Sequence, residues 1–142
     1  MIDIQVVEAV DEEIRAFQKR EWEPADMEHY GIIGDWTETH KALKAFENNE
    51  LVGILEIECK AGVIHIESVL VRHDKYQQGI GTALMKRAEE IAREYKIHKL
   101  YLDTGKNWAA RKLYDKLGYS VVADLPNHYL HHDYVIYEKI LE

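Results

Sequence analysis

The run Tyr76 to Gly81 has the composition of a turn that holds an anion. It follows an apolar stretch that ends at Val71 and precedes a helical pattern that opens at Gly81. Glycines at 79 and 81 let the backbone approach a ligand without an intervening Cβ. The first turn of a helix adds unpaired N–H groups and a positive dipole end, which suits a pyrophosphate. The run is neither a Walker loop nor a full dinucleotide fingerprint, and spaced glycines also occur in plain turns.

A second run, from Asn107 to Tyr119, carries polar groups at helical spacing. Asn107 and Tyr114 are seven residues apart, which on a helix returns to nearly the same face two turns along. One ligand lying on that face would therefore contact both side chains. From the residues alone, Asn107 serves equally well as a helix cap and Tyr114 as a core aromatic.

The elements that must position these motifs come in a mixed order. Strands are predicted at Ile2–Val7, Lys41–Phe46, Leu51–Cys59, Val63–Val71, Leu100–Leu102, Tyr119–Ala123 and Tyr134–Ile140. Helices are predicted at Asp11–Gln18, from Gly81 through Tyr95 and at Trp108–Leu117, with a short helix and loop within 21–36. A meander followed by strand–helix–strand–helix–strand–strand indicates an α+β or mixed α/β domain.

The length and composition fit one domain over residues 1–142, and the charge and cysteine content indicate which partners and which compartment to expect. The formal charge of −8, without a basic cluster, argues against a nucleic-acid partner and favours a cationic acceptor such as an amine. No apolar run is long enough to span a membrane, and the first residues lack the pattern of a signal peptide. Cys59 is the one cysteine and cannot form an internal disulfide, which fits a reducing cytoplasm.

Together, the glycine turn and the Asn-x-x-Ala-x-x-Leu-Tyr-x-x-x-Gly-Tyr run that follows it resemble the GNAT superfamily of N-acetyltransferases. The order of elements across almost the whole chain is similar too. The resemblance implies an α+β (mixed α/β) fold whose central sheet is mostly antiparallel and strongly twisted, with about six to seven strands and helices on both faces. It also implies that the strand at Val69–Val71 splays from its parallel neighbour at Leu100–Asp103, where the cofactor binds.

The same resemblance implies acetyl-CoA as co-substrate and no metal. In the family, the turn matching Tyr76 to Gly81 binds the pyrophosphate through main-chain N–H groups, and the strand before it pairs with the pantetheine arm. The residue matching Asn107 contacts that arm, and the residue matching Tyr114 is the general acid for the departing thiolate. The expected cofactor-binding set is Val69, Leu70, Val71, Tyr76, Gln77, Gln78, Gly79, Ile80, Gly81, Thr82, Asn107 and Tyr114.

Tyr76 departs from the family pattern, which prefers Arg or Gln at the first position of the turn. Binding is therefore expected to rest on backbone N–H groups and the two glycines rather than on a basic side chain. The glycines and the helix start that provide those N–H groups are both present in this sequence.

The attacking amine must lose a proton, and Glu67 is the first candidate for the base. By the period of two it shares a strand face with Val69 and Val71. His65 is the second candidate for the base, and a water chain is the third. Alternatively, Glu67 is only a solvated or ion-paired residue of the strand.

The acceptor is expected to meet two regions. In the family, the loop between the last two strands and the first helical region border the acceptor pocket, which makes His128, Tyr129, Trp22 and Tyr30 the expected substrate contacts. An exposed loop and core packing are the alternatives for these residues. The three histidines and one aspartate within 128–133 lack the spacing of a known zinc motif.

The sequence thus predicts a cytoplasmic N-acetyltransferase, monomeric or homodimeric, that moves an acetyl group from acetyl-CoA to a primary amine by direct attack. The acceptor amine belongs to a small molecule, a peptide or a protein. Two other classes fit the same turn: a catalytically silent CoA-binding sensor, and a nucleotide-binding module. Retention of both Asn107 and Tyr114 favours the enzyme.

Overall fold

The computed structural model describes residues 1–141. Contacts between Cα atoms divide the chain into two compact units, Met1–Trp36 and the residues from Thr37 onward. The single domain expected over residues 1–142 stays a prediction. No helix within residues 1–141 combines the length and the apolar character that crossing a membrane requires.

The first unit contains one helix, α1 (Glu12–Tyr30). The Asp11 carboxylate accepts a hydrogen bond from Ile14 N at 2.9 Å and caps the helix, as predicted. The helix does not end at Gln18, because strong helix formers on both sides carry it across Pro24. It ends at Gly31, whose φ of 73° lets its N–H reach Met27 O at 3.1 Å.

The strand predicted at Ile2–Val7 is wrong, since residues 1–10 contain no strand. The alternating side chains of Ile2, Ile4 and Val6 remain exposed. A strand needs a neighbouring strand for its backbone N–H and C=O groups, and α1 offers none. Alternation alone therefore did not make a strand here.

The second unit is built on a six-stranded sheet with the strand order β1-β2-β3-β4-β6-β5. Its strands are β1 (Thr39–Glu47), β2 (Glu50–Lys60), β3 (Val63–Val71), β4 (Lys99–Gly105), β5 (Ser120–Leu125) and β6 (Tyr134–Ile140). Only the β3–β4 pair is parallel. The mixed α+β class and the mostly antiparallel sheet are thus confirmed, and the other six predicted strands recur with ends shifted by a few residues at most.

Helix α2 (Ile80–Glu94) follows β3 and covers one face of the sheet. Its apolar stripe is buried against side chains of β2, β3 and β4, and each fully buried large side chain contributes about 1.5–3 kcal/mol. The stripe consists of Leu84, Met85, Ala88, Ile91 and Ala92, and the sheet supplies Leu55, Ile57, Ile64, Ile66, Leu100 and Leu102. The predicted helix from Gly81 is confirmed to within one residue.

Helix α3 (Arg111–Lys116) packs on the same core through Tyr114. It is shorter than the predicted Trp108–Leu117 because the residues before it form turns, with Arg111 N donating to Trp108 O at 3.3 Å. Gly118 ends it as predicted, with a φ of 87°. Within the second unit both helices lie against one hydrophobic core, and helices on both faces stay a prediction.

Candidate active site

The two parallel strands β3 and β4 pair for only part of their length. Their Cα partners run from Val63 with Lys99 to His65 with Tyr101 and then stop. Beyond that point β3 continues beside β2, and β4 continues beside β6. We call the opening between residues 66–71 of β3 and 102–105 of β4 the splay. Its two edges carry backbone groups that face no strand, so they are open to a ligand.

A β-bulge in β3 lies at the start of the splay. Ile57 is opposite Ile66 and Glu56 is opposite Ser68, which leaves Glu67 without a partner on β2. A bulge of this kind bends the strand that carries the extra residue. The bend turns β3 away from β4 at the residue where their pairing has just ended.

The bulge also reverses which side chains face the core. Ile66 and Val69 both pack on the core, although their numbers differ by three. Glu67 instead lies on the opposite side, which we call the polar face, with its carboxylate 3.3 Å from His40 Nδ1. The prediction that Glu67 shares a face with Val69 and Val71 is therefore wrong, because the period of two does not hold across a bulge.

Three further side chains occupy the polar face beside the splay. His65 stacks on Tyr101 with ring centroids 4.6 Å apart, and its Nε2 lies 3.9 Å from Asp103 Oδ1. His65 and Glu67 do share a face, as predicted, and that face looks away from the core. Asp103 was not identified as a site residue from the sequence. Its alternation with Leu102 and Thr104 along β4, both buried, would have placed it on the face opposite the core.

The glycine turn leads from β3 into the start of α2. Gln77 and Gly79 both adopt left-handed backbone, with φ of 63° and 83°. Helix α2 then begins at Ile80, and Ala83 N donates to Gly79 O at 3.0 Å. Within residues 1–141, no hydrogen bond uses the N–H groups of Ile80, Gly81 or Thr82. Unpaired donors and the positive end of the helix dipole are the groups with which such a turn attracts an anion.

The two glycines of the turn have different functions in the fold. A Cβ added to Gly79 would meet no atom within 4 Å, so this position faces open space. A Cβ added to Gly81 would lie 3.2 Å from Leu113 Cδ2, so this glycine lets α2 approach α3 closely. Gly79 is thus the position where a ligand has access to the backbone.

The charged side chains around the turn are already paired. Lys75 lies 2.7 Å from Glu47, and Arg72 lies 2.6 Å from Asp74 and 3.0 Å from Glu50. Tyr76, at the first position of the turn, stacks on His73 with ring centroids 5.3 Å apart. An anion at this turn therefore meets backbone N–H groups rather than a free basic side chain.

Tyr114 extends from α3 into the core beside Tyr137 and Tyr119, with ring centroids 5.6 and 6.3 Å away. Its hydroxyl makes no hydrogen bond within residues 1–141. Burial, with smaller effects of the Asp103 carboxylate and of Tyr137, raises the pKa of Tyr114 to about 12. The phenol is therefore a neutral hydrogen-bond donor at physiological pH.

Asn107 lies in the turn between β4 and α3 and is exposed. It does not cap the helix, because the position before the first helical residue belongs to Ala110. The spacing of seven predicted that Asn107 and Tyr114 share one helix face. They do not, because Asn107 lies outside the helix. The three-residue turns that precede α3 break the helical period between them.

The expected acceptor contacts lie in both units. Trp22 and Tyr30 are on α1 in the first unit, where both are more than half exposed and Tyr30 packs against Trp36 at 5.7 Å. His128 and Tyr129 belong to the loop before β6, with ring centroids 4.2 Å apart. In the same loop, His131 Nδ1 lies 2.9 Å from Asn127 Oδ1.

Within residues 1–141, one group of three side chains has its potential metal-ligand atoms within 4.8 Å of one another, namely Glu38, His40 and Glu58. The Lys60 ammonium already lies 3.4 Å from Glu38 and 3.9 Å from Glu58. A cation in this place compensates the two carboxylates without a metal. The loop histidines at 128, 131 and 132 do not belong to this group.

The chain belongs to the GNAT acetyltransferase family, whose family model matches residues 7–119. An acetyltransferase from Bacillus cereus ATCC 14579 is 20% identical with a TM-score of 0.74, covering 96% of this chain and 98% of that one. The Escherichia coli ribosomal-protein-S18-alanine N-acetyltransferase is 18% identical with a TM-score of 0.68, covering 72% and 70%. A GNAT family acetyltransferase from Elizabethkingia anophelis with acetyl-CoA bound is 21% identical with a TM-score of 0.67, covering 72% and 76%. No curated protein sequence matches the chain at a significant level.

The raised pKa of Tyr114 predicts a titration that ultraviolet absorbance of phenolate can follow. With a pKa of about 12, Tyr114 in the folded chain is half deprotonated only near that pH, whereas an unfolded tyrosine reaches the same point near pH 10. The stabilisation that comes from burying the neutral phenol is therefore lost as pH rises from about 10 to about 12. Up to about pH 11, the folded wild type and folded Tyr114→Phe should therefore gain the same phenolate absorbance.

The same comparison in urea provides the control. There, Tyr114→Phe should remove one of the nine phenolates. A folded wild-type protein that gains one more phenolate than folded Tyr114→Phe below pH 11 would contradict the burial of this hydroxyl.

Proposed function

We propose that this protein is an N-acetyltransferase that moves an acetyl group from acetyl-CoA to a primary amine by direct attack. One observation carries the proposal: the splay opens between β3 and β4, helix α2 begins with unpaired N–H groups after the turn that follows β3, and α3 carries the Tyr114 phenol into the core that both strands share. A structural neighbour with acetyl-CoA bound supports the same co-substrate. The lone cysteine is consistent with a cytoplasmic protein, and the acidic charge is consistent with one that binds neither nucleic acid nor membrane. We propose that the protein acts as a monomer or homodimer.

The fit of acetyl-CoA is supported by the turn at the start of α2. Its pyrophosphate would accept hydrogen bonds from unpaired N–H groups, and the open space at Gly79 admits the phosphates. The residues proposed for this contact are Tyr76, Gln77, Gln78, Gly79, Ile80, Gly81 and Thr82. The paired states of Arg72 and Lys75 support the expectation that the backbone provides most of the contact.

The pantetheine arm would lie in the splay. The edge of β3 at Val69, Leu70 and Val71 faces no strand there, so the arm can pair with backbone like an added strand. We propose that Asn107, exposed in the turn after β4, contacts the same arm. Such an arrangement would bring the thioester to the narrow end of the splay, toward His65 and Tyr101.

When bound, acetyl-CoA supplies an activated acetyl group with a thiolate as leaving group. Tyr114 is proposed to donate a hydrogen bond to the sulfur as the carbon–sulfur bond breaks. Full proton transfer from a pKa of about 12 to a thiolate whose conjugate acid has a pKa near 8.5 would cost about 5 kcal/mol. The phenol therefore acts by stabilising the developing charge, and solvent or the released amine proton completes the protonation.

The amine must be neutral when it attacks, although an alkylammonium has a pKa near 10.4. We propose Glu67 as the base that removes this proton, directly or through water. Its carboxylate lies on the polar face beside the splay, and its hydrogen-bond partner there is His40. His65, on the same face, is the second candidate. The acceptor contacts proposed in addition are Trp22, Tyr30, His128 and Tyr129.

The proposal is tested by incubating the protein with acetyl-CoA and a panel of primary amines. Release of CoA thiol together with a product heavier by one acetyl group is the expected result. Tight binding of CoA without turnover on any amine would favour a sensor instead. Stabilisation by ATP or NAD, with none by CoA, would favour a nucleotide-binding module.

Gly79→Asp should abolish binding of CoA, because it places a carboxylate against the pyrophosphate. Gly79→Asn is the matched control, since Asn has nearly the same shape, tolerates a positive φ and carries no charge. Repulsion between charges at about 4 Å amounts to about 4 kcal/mol near a protein surface, so we expect at least about tenfold weaker binding for Asp than for Asn. Titration calorimetry with CoA measures both, and equal affinities would place the pyrophosphate elsewhere.

Tyr114→Phe should lower kcat by about tenfold or more while leaving KM for acetyl-CoA nearly unchanged, because it removes only the hydroxyl. Tyr119→Phe is the control: this tyrosine is also buried, and its hydroxyl has no hydrogen-bond partner within residues 1–141. Its kcat should stay within about twofold of the wild type. Equal losses in the two variants would show that packing, and not the Tyr114 hydroxyl, explains the effect.

A further inference from the structure

The polar face carries a carboxylate and an aromatic ring next to one another at the wide end of the splay. Asp103 and Gly105 lie on the same face of β4, two residues apart. A Cβ built on Gly105 would overlap the Trp108 indole, so the missing side chain allows this ring to lie against the strand. Tyr134 is opposite Gly105 on β6, and its ring meets Trp108 with centroids 5.4 Å apart.

Two more rings extend this contact into an aromatic cluster, which consists of Trp108, His128, Tyr129 and Tyr134. Tyr134 lies 5.1 Å from Tyr129 and 5.5 Å from His128, measured between ring centroids. Trp108 and Tyr129 nevertheless remain 55% and 58% exposed. Scattered exposed apolar residues are ordinary, whereas several exposed rings in mutual contact mark a binding surface.

Asp103 connects this cluster with the proposed reaction centre. Its carboxylate makes no hydrogen bond within residues 1–141, and its ion-pair partner, His65, is at 3.9 Å. Asp103 therefore has unused hydrogen-bonding capacity on the polar face, which it shares with Gly105 and the adjoining Trp108 ring.

A carboxylate beside aromatic ring faces is the combination that binds an alkylammonium, through a charge-assisted hydrogen bond and cation–π attraction. An anionic group is repelled by the carboxylate, and a neutral donor gains only the weaker, uncharged hydrogen bond. The proposed position of the thioester is the narrow end of the splay, whereas the rings that would share the ammonium with Asp103 lie at its wide end. The nitrogen bound at Asp103 is therefore not the one that reacts.

We propose, on the basis of the N-acetyltransferase function above, that Asp103 and the aromatic cluster bind the distal ammonium of a diamine. The other nitrogen of the diamine reacts at the splay. It forms the bond to the acetyl carbon as the carbon–sulfur bond breaks, its proton passes to the base, and the thiolate leaves and is protonated. Asp103 and Trp108 thus determine specificity and take no part in the bond changes.

The test compares putrescine with butylamine, which has the same carbon chain and lacks the second ammonium. Wild-type protein should acetylate putrescine with a kcat/KM at least about tenfold higher, as expected of a contact worth about 1.4 kcal/mol. Asp103→Asn and Trp108→Leu should each bring this ratio toward one, mainly by raising KM for putrescine. Asp124→Asn is the control, because Asp124 is exposed and pairs with Lys106. It should keep the wild-type ratio.

Two results would overturn the proposal. One is equal kcat/KM for the two amines in the wild type. The other is an Asp103→Asn variant that loses activity on both amines by the same factor, since Asp103 would then act on the reaction and not on the second charge.

Calorimetry with putrescine alone separates this inference from the proposed function. If no amine is acetylated but the wild type binds putrescine at least about tenfold more tightly than Asp103→Asn does, the cation site stands and the acetyltransferase proposal falls. If transfer to amines occurs without a preference for putrescine, the function stands and the cation site falls.

Discussion

The extra residue at Glu67 determines how β3 lies between β2 and β4. An extra residue on β3 keeps that strand paired with β2 while its parallel pairing with β4 ends at His65. Because β3 stays paired with β2 and β4 stays paired with β6, the sheet opens between β3 and β4 and remains one sheet. The opening exposes two strand edges inside a six-stranded sheet, which is where a ligand with an extended arm can pair with backbone. The same bulge places Glu67 on the polar face, beside His65, and leaves Val69 on the core.

The core holds this opening in place from one side. Helix α2 packs its apolar stripe on β2, β3 and β4, and its N-terminus comes directly after the turn that follows β3. Gly81 allows α3 to approach α2, and α3 carries Tyr114 into the core. Lys139 on β6 then ties the helices to the sheet by donating to the buried Glu89 carboxylate at 2.6 Å and to Leu117 O at 2.7 Å. The start of α2 and the Tyr114 phenol are thus held in place by packing in the core rather than by loop contacts.

Much of this could be read from the sequence, and the failures have physical causes. Apolar periodicity predicted α2 and the meander, because their faces are buried in one core. It failed at Ile2–Val7, where alternation had no neighbouring strand to pair with. It failed again at Glu67, because a bulge is set by register against the partner strand and leaves no mark in the single strand. The spacing between Asn107 and Tyr114 misled for a related reason, since tight turns replace the first helical turn there. The Trp108 ring lies against the strand because Gly105 has no side chain. Apolar periodicity does not predict such a contact between two particular residues.

The most direct test of the account is to follow the backbone amide resonances of the protein as CoA is added. The largest shifts are expected at Gly79, Ile80, Gly81 and Thr82, and along 66–71 and 102–105 at the edges of the splay. The amides of β5, which lie at the far edge of the sheet, should change little. Shifts confined to other parts of the chain, or none at all with CoA in excess, would contradict the claim that the splay and the start of α2 form one ligand site.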